Sequence, residues 1–109
     1  KGKSINFNPQ PNLLYYSEQN LSLALKTGKV LLYFSSSKCE NCIEFISNYQ
    51  TYELPDDIIL IIVNIENLPA IARYYNIQAP DTIVQLNDNR QIVSKFMRLS
   101  RENILNSMK

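Results

Sequence analysis

The chain has 109 residues, 45% hydrophobic and 19% charged, with a formal charge of +1. That is the composition of one soluble globular domain around a single core, which excludes a disordered chain and a division into two domains. Its charges are scattered, so no phosphate-tracking surface and no nucleic-acid partner is expected, and its longest apolar run, Ile58 to Val63, is too short to span a bilayer.

Residues 1–12 are polar and broken by Pro9 and Pro11, and read as a lead-in or tether. Within them only Ile5 and Phe7 alternate like a short edge strand. Residues 13–109 form the single domain. Ser17 is placed to cap a helix whose Leu21, Ala24 and Leu25 recur at helical spacing, with Gly28 as its stop. Val30 to Phe34 reads as a buried strand, Ser35 to Lys38 as a polar loop, and about Cys39 to Tyr52 as a helix. Its expected inner face is Ile43 and Ile46, flanked by Phe45 and Tyr49, and Leu54-Pro55-Asp56-Asp57 ends it. Ile58 to Val63 is apolar at every position, as expected of a central strand covered on both faces. Asn67 is the expected cap of a short helix that carries Pro69 in its first turn and runs to Tyr75. Thr82 to Leu86 and Gln91 to Met97 read as the strands of a hairpin turning at Asn87-Asp88-Asn89. Ser100 opens a last helix with Ile104, Leu105 and Met108 on its apolar side. Alternating β and α units followed by a hairpin predict a three-layer α/β/α sandwich with a mixed central sheet.

The chemistry concentrates in two residues. Cys39 and Cys42 are the only cysteines, spaced C-x-x-C where a strand gives way to a helix. Two thiols so placed close a small ring and open it again. The first one lies where unpaired N–H groups and the helix dipole favour a thiolate, the nucleophilic form. The chain has no histidine, which excludes hydrolases that depend on one and removes the commonest metal ligand. Two thiolates alone fall short of a zinc site, so neither metal nor organic cofactor is expected. A static structural disulfide is the bland alternative, but a bridge closing so short a loop removes little chain entropy and would be a poor staple.

Over residues 14–108 the sequence resembles the thioredoxin family. The resemblance rests on the C-x-x-C at the strand-to-helix junction, Val63-Asn64-Ile65-Glu66, Tyr75-Asn76-Ile77, and Ala79-Pro80-Asp81-Thr82 ahead of a hairpin. It implies a thiol–disulfide oxidoreductase in which Cys39 is the nucleophile and Cys42 the resolving thiol. It also implies that Pro80 is a cis-proline facing the pair, with Ala79, Pro80 and Lys38 binding substrate. Expected partners are protein thiols or disulfides and a redox partner protein, and the chain is expected to be a monomer. The sequence departs from the family pattern in several places. Lys38-Cys39-Glu40-Asn41-Cys42 replaces Trp-Cys-Gly-Pro-Cys, Tyr33 replaces a buried aspartate, and Ile62 replaces its lysine neighbour. A gapless alignment puts Asp81 rather than Pro80 at the cis-proline position. These departures support an alternative, a thioredoxin-like binding or accessory module with weak turnover. Tyr33 reads as a core aromatic rather than a proton carrier.

Lys38 favours a Cys39 thiolate and Glu40 opposes it, so a moderately lowered thiol pKa and a reducing to intermediate potential are expected. The lost buried acid, the Asn/Pro-rich lead-in and a start without methionine lean toward an extracytoplasmic, membrane-anchored protein, against the alternative of a cytoplasmic one.

Overall fold

The computed structural model describes residues 12–109, so the Ile5/Phe7 strand lies outside the described residues. The first strand described is instead β1, Leu13–Tyr15, which buries only Leu13 and was not legible as a strand. Then follow α1 (Glu18–Thr27), β2 (Lys29–Ser35), α2 (Glu40–Ser47), a 3-10 turn (Tyr49–Tyr52), β3 (Ile58–Asn64), α3 (Pro69–Tyr74), β4 (Thr82–Leu86), β5 (Ile92–Met97) and α4 (Arg101–Ser107).

The five strands form one sheet in the order β1-β3-β2-β4-β5. β3 pairs in parallel with β1 and β2, whereas β4 runs antiparallel to both β2 and β5. Alternation along β2 and β3 divides the core. Leu31, Tyr33, Leu60 and Ile62 face α2 and α4, with Cys42, Phe45 and Ile104 packed on them. Val30, Leu32, Phe34, Ile59, Ile61 and Val63 face the other way, under Leu21 and Ala24 of α1 and Ile71 and Ala72 of α3. Each side chain fully buried in this way contributes about 1.5–3 kcal/mol, and covering both faces makes the central strands apolar throughout. This is the expected three-layer sandwich with a mixed sheet.

Local chemistry sets the boundaries. Ser17 and Ser100 cap their helices as expected, each hydroxyl accepting the backbone N–H of the third residue on, Asn20 and Asn103. Gly28 follows α1 in an extended conformation, where a Cβ would collide with the Asp57 carbonyl oxygen. The expected long helix after Cys39 is broken at Asn48 into α2 and the 3-10 turn. Its phase also differs. Cys42, Phe45 and Tyr49 point inward, while Ile43 is 50% exposed. Asn67 does not cap α3; the side-chain oxygen of Asn64 accepts the N–H groups of Glu66 and Asn67 instead. No helix among the described residues is long and apolar enough to cross a membrane.

Candidate functional site

β2, the middle strand of the sheet, ends at Ser35, and residues 36–38 turn the chain toward α2. That turn is fastened from outside. The Glu66 carboxylate accepts hydrogen bonds from the Ser36 hydroxyl, from the Ser37 N–H (2.9 Å) and from the Ser37 hydroxyl (3.1 Å). The Ser36 hydroxyl oxygen in turn accepts the Lys38 N–H, and the Ser36 carbonyl accepts the Cys39 N–H, both at 3.1 Å. The Ser36 hydroxyl and the Ser37 N–H, with Lys38 nearby, hold the Glu66 carboxyl below its ordinary pKa. Asn64 aims Glu66 by folding the chain that leaves β3. A hydrogen-bonded relay thus runs from the end of β3 to the first cysteine.

Cys39 is the N-cap of α2, in an extended conformation, and its sulfur accepts the Cys42 N–H at 3.1 Å. The sulfur therefore occupies the place of a capping oxygen, beside the unpaired donors of the helix N-terminus. The two cysteines are joined in a disulfide with their Cα atoms 5.2 Å apart. Their environments differ: Cys39 is half-buried, and Cys42 is fully buried. Cys42 borders a groove of about 240 Å³ whose walls include Tyr15, Ile43, Ile46 and Ile62. Of the two sulfur-bearing residues, Cys39 is therefore the more accessible from outside.

Beneath α2 lies a polar cluster enclosed by aromatic rings. The Arg98 guanidinium donates to both Asp81 carboxylate oxygens, from Nε to Oδ1 at 2.8 Å and from Nη2 to Oδ2 at 2.9 Å. The Tyr33 hydroxyl donates to the same Oδ1 at 2.5 Å. Arg98 Nη1 donates to the Tyr52 hydroxyl at 3.1 Å, and the guanidinium lies 5.0 Å from the centre of the Phe45 ring. The Arg98 and Asp81 side chains are only 10% and 14% exposed. Burial, then Asp81's hydrogen bond and charge, push the Tyr33 phenol far above its ordinary pKa, so it stays a donor at neutral pH. Burial pulls the Arg98 guanidinium down, but Asp81 outweighs it and holds the group above its usual value.

Solved structures with this architecture decide the fold. The protein Trxlp of Edwardsiella tarda EIB202 superposes with a TM-score of 0.70 at 16% identity, covering 86% of this chain and 95% of that one. The reduced thioredoxin pre-protein of Schistosoma mansoni gives 0.69 at 21% identity, with 86% and 92% covered. The fold is that of thioredoxin. A third match, thioredoxin NaTrxh of Nicotiana alata, gives 0.67 at 15% identity over 94% and 93% of the two chains. No protein-family model matches the sequence, and no curated protein matches it.

On this thioredoxin fold, Cys39 and Cys42 meet as the sequence led one to expect. The cis-proline does not appear: there is no cis peptide bond among the described residues, and Pro80 is trans. The turn is made by Asp81, whose left-handed backbone (φ 69°) sends its N–H to the Phe34 carbonyl at 2.7 Å. A short polar side chain tolerates that conformation, and Asp81 is further fixed by Arg98. Ala79 is exposed and lines a groove with Gln78, Thr82, Phe96 and Met97; Pro80 is half-buried, and Lys38 is exposed on the turn before Cys39. Sequence reasoning missed the roles of Asp81, Arg98, Tyr52, Ser36 and Glu66. One signal was present: Asp81 and Arg98 directly flank the open end of the hairpin, where Thr82 pairs with Met97, so opposite charges there had to face each other.

Proposed function

We propose that the protein is a thiol–disulfide oxidoreductase that exchanges disulfides with protein substrates through Cys39 and Cys42. One observation carries this reading: the disulfide joins a half-buried N-cap sulfur to a fully buried one. In the reducing direction, the Cys39 thiolate attacks one sulfur of a substrate disulfide, whose S–S bond breaks and releases a substrate thiolate. Cys42 then loses its proton and attacks Cys39, which expels the second substrate thiolate and re-forms the Cys39–Cys42 bond. Two electrons pass from the dithiol to the substrate, and no cofactor takes part. In the oxidising direction the same steps run backwards, starting with a substrate thiolate attacking Cys39. The N–H groups at the start of α2 favour the thiolate required of Cys39 in either direction. The test is insulin reduction and dithiol oxidation by the parent beside Cys39→Ser, with activity expected only in the parent. Equal activity in both would end the proposal.

A second reading, a binding or accessory module with slow turnover, draws support from the trans Pro80 and from Asp81 at the turn before β4. It predicts a protein that holds a partner through the hydrophobic patch around the cysteines yet turns over slowly. Turnover matching a standard thioredoxin in the same assay would eliminate it.

A further inference from the structure

The Asp81–Arg98 pair is the least expected feature of the molecule, because two nearly buried charges are costly unless each is fully partnered. Here each is. Oδ1 of Asp81 accepts from Tyr33 and Arg98, Oδ2 accepts from Arg98, and the remaining guanidinium edge donates to Tyr52. The backbone repeats the link, since the Arg98 N–H donates to the Asp81 carbonyl at 2.9 Å. The pair thereby ties the turn before β4 to the end of β5.

Its contacts also reach the redox helix. Phe45, whose ring lies against the guanidinium, is on α2 three residues after Cys42 and on the same buried face. Tyr33, which donates to Asp81, packs edge-on against Phe45 with ring centres 4.8 Å apart. Cys42, Tyr33 and Phe45 belong to one continuous apolar cluster, and Cys39 packs against it. In such surroundings an unbalanced charge acts at longer range and with less screening than at a surface. With both partners present the two charges nearly cancel.

We propose that Asp81 and Arg98 are positioning residues for the Cys39–Cys42 chemistry, a charge-balanced brace under α2 whose neutrality sets how readily the disulfide is reduced. The inference rests on the reading of this disulfide as redox-active. Removing Asp81 leaves a positive charge that stabilises a thiolate and hence the dithiol. Removing Arg98 leaves a negative charge that destabilises the thiolate and favours the disulfide. A merely structural pair would not shift the equilibrium in opposite directions.

The test equilibrates each protein with mixtures of reduced and oxidised glutathione and counts free thiols by alkylation and mass. Asp81→Asn is expected to move the equilibrium about three- to tenfold toward the dithiol, and Arg98→Gln by a similar factor toward the disulfide. The double variant, and Arg98→Lys, which keeps the charge, should stay within about twofold of the parent. Single variants that move in the same direction or not at all overturn the proposal, as does Arg98→Lys moving as far as Arg98→Gln. Should Arg98→Gln fail to fold by circular dichroism, the remaining variants decide: Asp81→Asn must shift toward the dithiol and the double variant must return. The equilibrium reads the disulfide alone. A parent that equilibrates with glutathione yet leaves insulin intact would therefore defeat the proposed function without touching this inference.

Discussion

Replacing Phe45 with alanine tests which face of α2 is inward. The ring is 2% exposed and meets three aromatic neighbours edge-on, with centres at 4.8 Å for Tyr33, 4.8 Å for Tyr52 and 5.7 Å for Tyr49. Truncating a buried phenylalanine costs about 3–5 kcal/mol in lost transfer energy and residual cavity. Each aromatic pair adds about 0.5–1.5 kcal/mol beyond its buried area, and the guanidinium loses its ring as well. These contributions overlap, so the top of the first range, about 4–5 kcal/mol, is expected. A domain of this size has about 5–15 kcal/mol in total, and the loss corresponds to a fall in Tm on the order of 20–30 °C. Urea unfolding of the oxidised protein, monitored by circular dichroism, measures it. The control is Ile43→Ala on the same helix: that residue is half-exposed and its loss should cost less than about 1 kcal/mol. A Phe45→Ala cost below about 1.5 kcal/mol, or an equal cost for Ile43→Ala, would mean that the helix turns its Ile43 face to the sheet and that this account of the core is wrong.

Glu66→Ala removes the acceptor for Ser36 and Ser37, so the Ser37 amide should exchange with solvent faster while the strands keep their protection; unchanged exchange at Ser37 would contradict the relay. Glu40→Gln, which removes a negative charge at the first residue of α2, should lower the Cys39 pKa in the reduced protein and ease reduction of the disulfide. Thiolate absorbance against pH reads this directly, and a rise or no change rejects the electrostatic reasoning. Burial pushes the Tyr49 phenol up to about 12 from 10.0. The folded state thus holds that proton more tightly than the unfolded chain, and the stability this contributes is complete below pH 10 and lost as pH climbs toward about 12. Tyr33, raised by burial and by Asp81, acts in the same direction. The urea midpoint should fall across that window as tyrosinate appears; a constant or rising midpoint opposes the assignment.

The sheet was legible wherever burial was two-sided. Val30 to Phe34 and Ile58 to Val63 carry apolar side chains at every position, and only a covered central strand tolerates that. Ser17 and Ser100 were legible as caps because hydroxyl capping is a local matter. The phase of α2 was not, because Ile43 and Ile46 repeat at the same helical spacing as Cys42 and Phe45. The choice between the two stripes depends on where Cys39 starts the helix, which tertiary contacts decide. Within the site, the two cysteines were readable from spacing alone. The brace beneath them was legible only in part: Asp81 and Arg98 flank one hairpin, but Tyr33 and Tyr52 come from separate stretches of chain. The cis-proline expectation came with the resemblance and failed because a left-handed Asp81 makes the turn that a cis bond was expected to make.

The position of β2 has a consequence for how the chain reaches this structure. Val30 pairs with Ile59 on one side and with Leu86 on the other, so the central strand is completed only by segments far along the sequence. The β4–β5 hairpin is the local strand pairing and can form early, but the sheet must wait for long loops to close, which slows folding of such topologies. The Cys39–Cys42 bond joins residues three apart, inside the connection from β2 to β3, and shortens none of those loops appreciably. Oxidised and reduced chains are therefore expected to refold on the same timescale, so that a newly made chain reaches its native topology whichever redox state its cysteines are in.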